Sequence, residues 1–298
     1  MSERVNILLQ TTIPYAEDDW NIGRFSLLAA HLRSLKDDAG EPLYDVITRD
    51  HEPDDNGNDP FLMGLAESDI DEIWLFGVDA GNGLTKNECG AITKFRQRGG
   101  GIFSTRDHND LGSSLCTLGG VGAAHYFHNT NPDPDPDRNR RDDNVTTSID
   151  YPNYHSGANG DYQHITSLVE HELLKRPDGR LIEYFPAHPH EGGIGAPVND
   201  DSAKVIATGM SQVTGRPFNL IVAFEQKTDS HGNQLGRAIA ESSFHHFVDY
   251  NWDISRGCPT FLEEPPGTEI EIDPSRLDDV KTYAANVAQW LAGQNREQ

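Results

Sequence analysis

The chain has 298 residues, 36% of them hydrophobic, and its formal net charge is −24 at pH 7. Because it carries 48 acidic side chains and only 24 basic ones, it lacks the positive surface that a phosphate backbone requires, which argues against nucleic acid as a partner. No apolar run approaches the roughly 20 residues of a membrane span, and the amino terminus lacks the pattern of a secretory leader. We therefore expect a cytoplasmic, globular protein that acts on a small molecule and does not engage a membrane.

Strand and helix patterns alternate through the first 105 residues. Apolar runs and helical spacing predict strands at residues 5–10, 44–48, 72–76 and 101–105 and helices at residues 21–36 and 62–68. Thr85 followed by Glu88 forms a capping box that begins a further helix, and glycines end that helix at Gly99. Strands joined through helices in this order form a mainly parallel sheet with helices on both faces, an α/β fold.

The second half of the chain predicts an antiparallel β extension of this sheet. Glycines, histidines and repeated Asp-Pro pairs predict a long lid or insertion at about 119–163. The elements predicted after it are a helix at 166–175, strands at 180–184, 204–208, 218–225 and 237–242, and an amphipathic helix at 278–291. Turn-rich joins between the last three strands are typical of hairpins. No linker divides the sequence, so we predict a single domain over residues 1–298.

Charged side chains follow the fourth predicted strand at the point where it ends. They are Arg106, Asp107, His108 and Asp110. In a parallel sheet the carboxyl ends of the strands are where ligands bind. An arginine there can hold an anion or carbonyl, a carboxylate can orient an imidazole, and an imidazole can transfer a proton. The alternative is a structural turn in which Asp107 caps the next helix and pairs with Arg106.

Two histidines and a glutamate follow the strand predicted at 180–184. They are His188, His190 and Glu191. Residues two apart in an extended segment point to the same side, so the two histidines can ligate one metal ion, contact one substrate, or lie in a solvated loop. A metal ion needs a third ligand, and the set weighed for it is His188, His190 and His246.

A further group follows the strand predicted at 237–242. His245 and His246 are adjacent, so at most one of them points into a given pocket, and both are candidate catalytic residues. Trp20 lies in a polar loop and can wall a pocket for a sugar. The candidate substrate-binding residues are Trp20, Asp79, Asp110, His188, His190, Glu191 and Asn251.

The sequence offers no activated serine or cysteine nucleophile. It contains no G-x-S-x-G or corresponding cysteine elbow, and Cys116 lies beyond the turn that follows residues 101–105. A phosphate loop of the G-x-x-x-x-G-K-[ST] type and a G-x-G-x-x-G motif after the first strand are both absent, so no nucleotide cofactor is indicated. A divalent metal ion stays open as the one cofactor that the histidines suggest.

The segment LFGVDAGNGLTKNECGAITKFRQRGGGIFSTRDHNDLG resembles the central segment of class I glutamine amidotransferase-like proteins, most closely their trehalose-utilisation (ThuA-like) branch. The later stretches VIATG, PFNLIVAFEQ and GRAIAESSFHHF resemble the closing β segment of that family, which ends in a histidine. The resemblance runs from Val5 to Asp253. It implies a flavodoxin-like sheet with a site at the carboxyl ends of its strands, and a sugar or sugar derivative as substrate.

When the family's catalytic residues are matched to this sequence one by one, the cysteine and the acid of the amidotransferase triad have no counterpart. The cysteine position falls near Arg106, with Asp107 or His108 as the counterpart if the register shifts, and ThuA-like relatives commonly have histidine there. The triad histidine falls on His245, but His246 and Phe247 follow it in place of the acid. Glutamine hydrolysis through a cysteine thioester is therefore not expected.

These observations favour an enzyme that acts on a small polar substrate, such as a sugar, by histidine and aspartate acid-base chemistry. A hydrolase, lyase or isomerase fits, with or without a metal ion. His108 and one of His245 and His246 would exchange protons, Asp107 would orient an imidazole, and Arg106 would hold an oxyanion. The alternative is a non-catalytic binding or sensor protein that retains the pocket. A homo-oligomer is compatible with both.

Overall fold

The computed structural model of the chain describes residues 4–142, 145–146 and 148–293. The strands are β1 Val5–Thr11, β2 Tyr44–Arg49, β3 Glu72–Phe76, β4 Gly101–Thr105, β5 His125–Tyr126, β6 Tyr162–His164, β7 Thr166–Ser167, β8 Tyr184–Pro186, β9 Gly193–Ile194, β10 Ala203–Met210, β11 Pro217–Phe224, β12 Lys227–Thr228, β13 Gln234–Leu235 and β14 Ala238–Glu241. The α-helices are α1 Ser26–Ser34, α2 Pro60–Met63, α3 Lys86–Gln97, α4 Glu269–Ile272 and α5 Leu277–Leu291. Among the described residues, no helix has both the length and the hydropathy that a membrane crossing requires.

One mixed sheet organises the molecule. Its strand order is β2-β1-β3-β4-β14-β11-β10-β7. The first five strands of that order run parallel, and the last three extend the sheet with antiparallel pairs. The prediction of an α/β fold with an antiparallel extension is confirmed. Thr105 pairs with Phe76 on one side and Glu241 on the other, so β3, β4 and β14 end at the same level.

Helices cover both faces of the sheet because its central strands are apolar on both sides. In β1, Ile7 and Leu9 pack in one core together with α1 and α5, while Leu8 packs in the other core together with α3. The side chains of all three residues have no exposed surface. Burying such a side chain stabilises the fold by about 1.5–3 kcal/mol, so each face holds its helices by packing.

The capping box predicted at Thr85 begins α3. The Thr85 hydroxyl accepts a hydrogen bond of 3.2 Å from the Glu88 amide, and the Glu88 carboxylate accepts one of 2.6 Å from the Thr85 amide. The other carboxylate oxygen of Glu88 lies 2.7 Å from Nε2 of His51, in the segment after β2. The capping box therefore satisfies two backbone amides that have no partner within the helix. Through Glu88 it also ties the start of α3 to the loop after β2.

The helix predicted at 166–175 is wrong. Thr166 and Ser167 form the edge strand β7, which pairs with β10, and only Glu172–Leu174 makes a 3-10 turn. The Leu168 amide donates to the Ile206 carbonyl, so the backbone is committed to the sheet and not to a helix. The strand predicted at 180–184 lies a few residues later, as β8.

The insertion predicted at about 119–163 packs against the antiparallel part of the sheet. Tyr154 stacks on Phe218 of β11 with ring centroids 4.9 Å apart, and Asp142 accepts hydrogen bonds from Thr214 and Arg216. The Tyr154 amide and carbonyl also pair with those of Glu191. Residues 143, 144 and 147 of this predicted insertion lie outside the described residues.

Candidate functional site

Asp107 and His108 follow β4, while His245 follows β14 in the 3-10 helix Phe244–His246. Because β4 and β14 are paired and end together, these side chains meet at the carboxyl edge of the sheet. His188 reaches the same place from the turn after β8. The three strand ends that the sequence singled out therefore converge.

Three imidazole nitrogens surround the carboxylate of Asp107. Nδ1 of His108 lies 2.9 Å from Oδ2, Nε2 of His188 lies 3.2 Å from Oδ1, and Nε2 of His245 lies 3.6 Å from Oδ2. We call Asp107, His108, His188 and His245 the Asp107 cluster. The side chain of His108 is 20% exposed while those of Asp107 and His188 are 1% exposed, so the cluster reaches solvent at His108.

Aromatic contacts hold the imidazoles of the cluster in place. The rings of His188 and His245 stack with centroids 3.6 Å apart, and Trp20 packs edge-on against His245 at 4.8 Å. His190 lies beside the cluster, with its ring centroid 5.2 Å from that of His108 and 5.6 Å from that of His188. Nε2 of His190 is 3.2 Å from the Glu264 carboxylate. The structure thus brings Trp20 and His190, both predicted substrate contacts, to the edge of the cluster.

Burial and the neighbouring side chains shift the pKa values of Asp107, His188 and His190. Burial alone would raise the pKa of Asp107, but the surrounding imidazoles of His188, His108 and His245 hold the pKa well below its usual value. Burial and the neighbouring His245 ring lower the pKa of His188 well below its usual value. Burial also lowers the pKa of His190.

Amide hydrogen bonds determine the tautomer of His188. Oδ1 of Asn251 accepts from the Gly160 amide at 3.1 Å and Nδ2 donates to the His245 carbonyl at 2.9 Å, which orients the Asn251 side chain. The same Nδ2 donates to Oδ1 of Asn159 at 3.0 Å, so that oxygen is an acceptor. Nδ1 of His188 lies 3.1 Å from it and therefore carries the ring proton. Nε2 is then the ring nitrogen that faces the cluster carboxylate.

His246 belongs to a second buried group. Its Nε2 is 3.0 Å from the Glu191 carboxylate and its Nδ1 is 3.2 Å from that of Glu241. We call these three residues the Glu-His-Glu group. Burial opposes the charged ring, but Glu191 and then Glu241 raise the pKa of His246 to about 10. Gln163 donates to Glu191 as well, and the side chains of all three residues of the group are fully buried.

The Arg106 side chain, which was predicted to hold an oxyanion, contacts backbone carbonyls of neighbouring loops. Its guanidinium donates to the backbone carbonyls of Tyr126, Gly193 and Asn109 and lies 4.3 Å over the Phe127 ring. The side chain is completely buried. Arg106 therefore ties the strand end to the following loops.

The carboxylates of Asp79 and Asp110, both predicted substrate contacts, accept hydrogen bonds from the chain itself. The Asp79 carboxylate accepts from the Gly81 amide at 2.9 Å and from the Ser114 hydroxyl at 2.7 Å, which closes the loop after β3. The Asp110 carboxylate accepts from the His128 amide at 2.7 Å. Neither carboxylate is part of the Asp107 cluster.

The possible metal ligands that the structure brings together differ from the three histidines that the sequence suggested. Among the described residues, the group with ligand atoms all within 4.8 Å of one another is Asp107, His108 and His188. His188 is shared with the predicted set, but both ring nitrogens of His246 contact carboxylates, and His190 turns toward Glu264.

Asn159 and Ser243 are site residues that the sequence analysis missed. Asn159 fixes the His188 ring, and the Ser243 hydroxyl donates to Asp107 at 3.0 Å. Asn159 sits in a glycine-rich stretch of the predicted insertion and carries no motif. Ser243 directly precedes the predicted histidine pair, so its place after β14 is the one signal that pointed to it.

The fold and the site define an α/β protein with a histidine-aspartate cluster at the carboxyl ends of its parallel strands. A protein described as ThuA-like from Parabacteroides merdae is similar in structure, with a TM-score of 0.50, 13% sequence identity, and coverage of 99% of this chain and 92% of that one. Two cytoplasmic proteins from Salmonella typhimurium align with TM-scores of 0.48 and 0.49 at 12% and 10% identity. They cover 96% of this chain, and the alignments include 98% and 99% of theirs.

No protein-family model and no curated protein sequence matches the chain. At 13% identity, the likeness to the ThuA-like protein concerns the fold. The site must therefore be interpreted from its own geometry.

Proposed function

We propose that this chain is an enzyme that acts on a small polar substrate by acid-base chemistry at the Asp107 cluster. The observation that carries the proposal is the set of three imidazole nitrogens within 3.6 Å of one buried carboxylate. Imidazole is the side chain best suited to transfer protons near neutral pH, and a buried carboxylate orients it. His108 and His245 are the proton-transfer residues of this proposal, and Asp107 positions both rings.

The chemistry proposed here uses no cysteine nucleophile. Cys116 lies in the 3-10 helix Ser113–Thr117, and burial raises the pKa of its thiol, which disfavours the reactive thiolate. The residues after β4 are Arg106 and Asp107, of which the first is bound to backbone carbonyls. Proton transfer by histidine is what the remaining side chains can supply.

We further propose a flavodoxin-like sheet, a distant relationship to the ThuA-like branch, and a sugar or sugar derivative as substrate. The parallel strand order β2-β1-β3-β4-β14 supports the first of these proposals. The fold similarity to the ThuA-like protein supports the second. The third rests on the sequence resemblance to that branch, because Trp20, which packs edge-on against His245, is only 5% exposed.

The experiment is a screen of monosaccharides, disaccharides and their keto and phosphorylated derivatives by proton NMR in D2O. Wild-type protein is compared with Asp107→Asn and His245→Ala, and with His128→Ala as a control for an exposed imidazole outside the cluster. We expect turnover or C–H exchange in the wild type and the control and its loss in both cluster variants. Unchanged rates in both folded cluster variants would contradict the proposal.

A non-catalytic binding protein is the second candidate, and the near-complete burial of Asp107 and His188 favours it. The same panel tests it by thermal shift. A compound that raises the melting temperature of the wild type but is recovered unchanged supports binding, whereas product formation supports the enzyme.

A further inference from the structure

Several buried polar atoms of the Asp107 cluster have no hydrogen-bond partner among the described residues. They include Oδ2 of Asp107, Nδ1 of His108 and Nε2 of His188. Two of these atoms, on Asp107 and His108, are only 2.9 Å apart, yet they are not aligned for a hydrogen bond. Unsatisfied buried polar atoms are rare in native proteins, and three on neighbouring side chains of one cluster require an explanation.

The His188 contact is the most informative of them. Nδ1 of His188 is taken by its hydrogen bond to Asn159, so Nε2 is the ring nitrogen that is left for a ligand. Nε2 lies 3.2 Å from Oδ1 of Asp107 and makes no hydrogen bond to it. A cation bound between the imidazole and the carboxylate would contact both of them.

We propose that Asp107, His108 and His188 bind one divalent transition-metal ion. Their ligand atoms all lie within 4.8 Å of one another. The Asp107 carboxylate is 2.9 Å from Nδ1 of His108 through Oδ2 and 3.2 Å from Nε2 of His188 through Oδ1. Metal-ligand bonds of about 2.0–2.2 Å in a tetrahedral zinc site place neighbouring ligand atoms about 3.3 Å apart. Two imidazoles and one carboxylate suit Zn²⁺ or a similar first-row cation, whereas Mg²⁺ and Ca²⁺ prefer all-oxygen sites.

The surroundings of the three ligands are those of a metal site. A metal-bound histidine usually donates its other ring N–H to an oxygen acceptor, as His188 does to Asn159. The ligating carboxylate is itself hydrogen-bonded, here by the Ser243 hydroxyl. Arg106, the cation next to Asp107 in sequence, donates to backbone carbonyls and leaves this carboxylate to the metal.

The metal site goes beyond the proposed function, and the two share Asp107 and His108. A chain that binds zinc and turns over no substrate would retain the metal site and refute the enzyme. A chain that turns over a substrate and binds no zinc would retain the enzyme and refute the metal site. The partial exposure of His108, at 20%, provides the route from solvent to the site.

The test is isothermal titration of the full, untagged chain with ZnCl2 after chelator treatment, with MgCl2 as the comparison. We expect one zinc ion per chain and no measurable magnesium binding. Asp107→Asn and His188→Gln should each weaken zinc binding at least about 100-fold, and Asn159→Ala should weaken it by about 10–100-fold because it releases the His188 ring. His128→Ala, which removes an exposed imidazole outside the site, should bind zinc like the wild type.

X-ray absorption of the zinc-loaded wild type keeps the proposal testable if a variant fails to fold. We expect only nitrogen and oxygen neighbours at about 2.0–2.2 Å, with the scattering of two imidazoles. Failure of the wild type to bind zinc, wild-type affinity in both folded ligand variants, or a shell that contains sulfur would overturn the assignment.

Discussion

His246 provides a stability prediction that can be worked through quantitatively. Between Glu191 and Glu241 its pKa is raised from 6.5 to about 10. A histidine whose pKa is higher in the folded state stabilises the protein fully below pH 6.5, and that contribution is lost as the pH rises through about 10. Between these two pKa values the contribution of His246 to the unfolding free energy falls by about 1.4 kcal/mol per pH unit, which amounts to about 5 kcal/mol in all.

The perturbation is His246→Asn, measured by urea unfolding at pH 7 and pH 9. From pH 7 to pH 9 the unfolding free energy of the wild type should fall by about 3 kcal/mol because His246 loses its proton on unfolding. The variant has no imidazole at this position, so its unfolding free energy should not show this decrease. At pH 7 the variant should be about 3–5 kcal/mol less stable, because it leaves two buried carboxylates without their cation.

His125→Asn is the matched control. His125 is as buried as His246, but burial lowers its pKa to about 3, so the folded ring is neutral throughout the range from pH 7 to pH 9. The control should therefore keep the wild-type dependence on pH, whatever its stability at pH 7. Equal pH slopes in the wild type and His246→Asn would refute the assignment of a charged His246.

Four further substitutions test local packing, helix capping and the hydrogen bonds of Arg106, each by thermal unfolding. Gly192→Ala should destabilise the chain by about 1–3 kcal/mol or more, because the added Cβ would lie 2.5 Å from the Asp107 carbonyl oxygen. Gly90→Ala is the control: no atom lies within 4 Å of its added Cβ, so it should stabilise α3 by about 0.5–1 kcal/mol. Thr85→Ala should cost about 1 kcal/mol through the lost cap of α3, and a melting temperature equal to that of the wild type would contradict it. Arg106→Lys should cost about 2–4 kcal/mol because lysine cannot reach the same carbonyls, and an unchanged melting temperature would argue against its structural role.

Local patterns predicted the parallel half of the fold accurately. The strands expected at 72–76 and 101–105 are β3 and β4 without a shift, because each is a short apolar run bounded by turn residues. The helix after Thr85 is defined by a cap that uses only side chains within one turn. Such interactions are local, so the sequence alone contains them.

The prediction of a helix at 166–175 failed because a long-range interaction determines the structure of this segment. The segment has helical spacing, but Thr166 and Ser167 satisfy their backbone groups on β10, a strand almost 40 residues later. Leu168 and Val169 stay 52% and 39% exposed, so no apolar face was available to hold a helix. Pairing with a distant strand outweighed local preference.

The location of the site could be predicted, but the directions of its side chains could not. Strand ends in a parallel sheet meet at one edge, which brought Asp107 and His245 together. The rotation of Arg106 toward backbone carbonyls and the contribution of Asn159 depend on loops from other parts of the chain. No spacing rule encodes such contacts.

The 3-10 helix Phe244–His246 links the two buried groups of the molecule. His245 contacts the Asp107 cluster while His246, the next residue, is held between two glutamates. Anchoring His246 on both ring nitrogens therefore fixes the backbone from which His245 projects, in addition to the Trp20 contact. Since a charged anchor resists displacement more than a neutral one, the Glu-His-Glu group positions the neighbouring imidazole without entering the site itself.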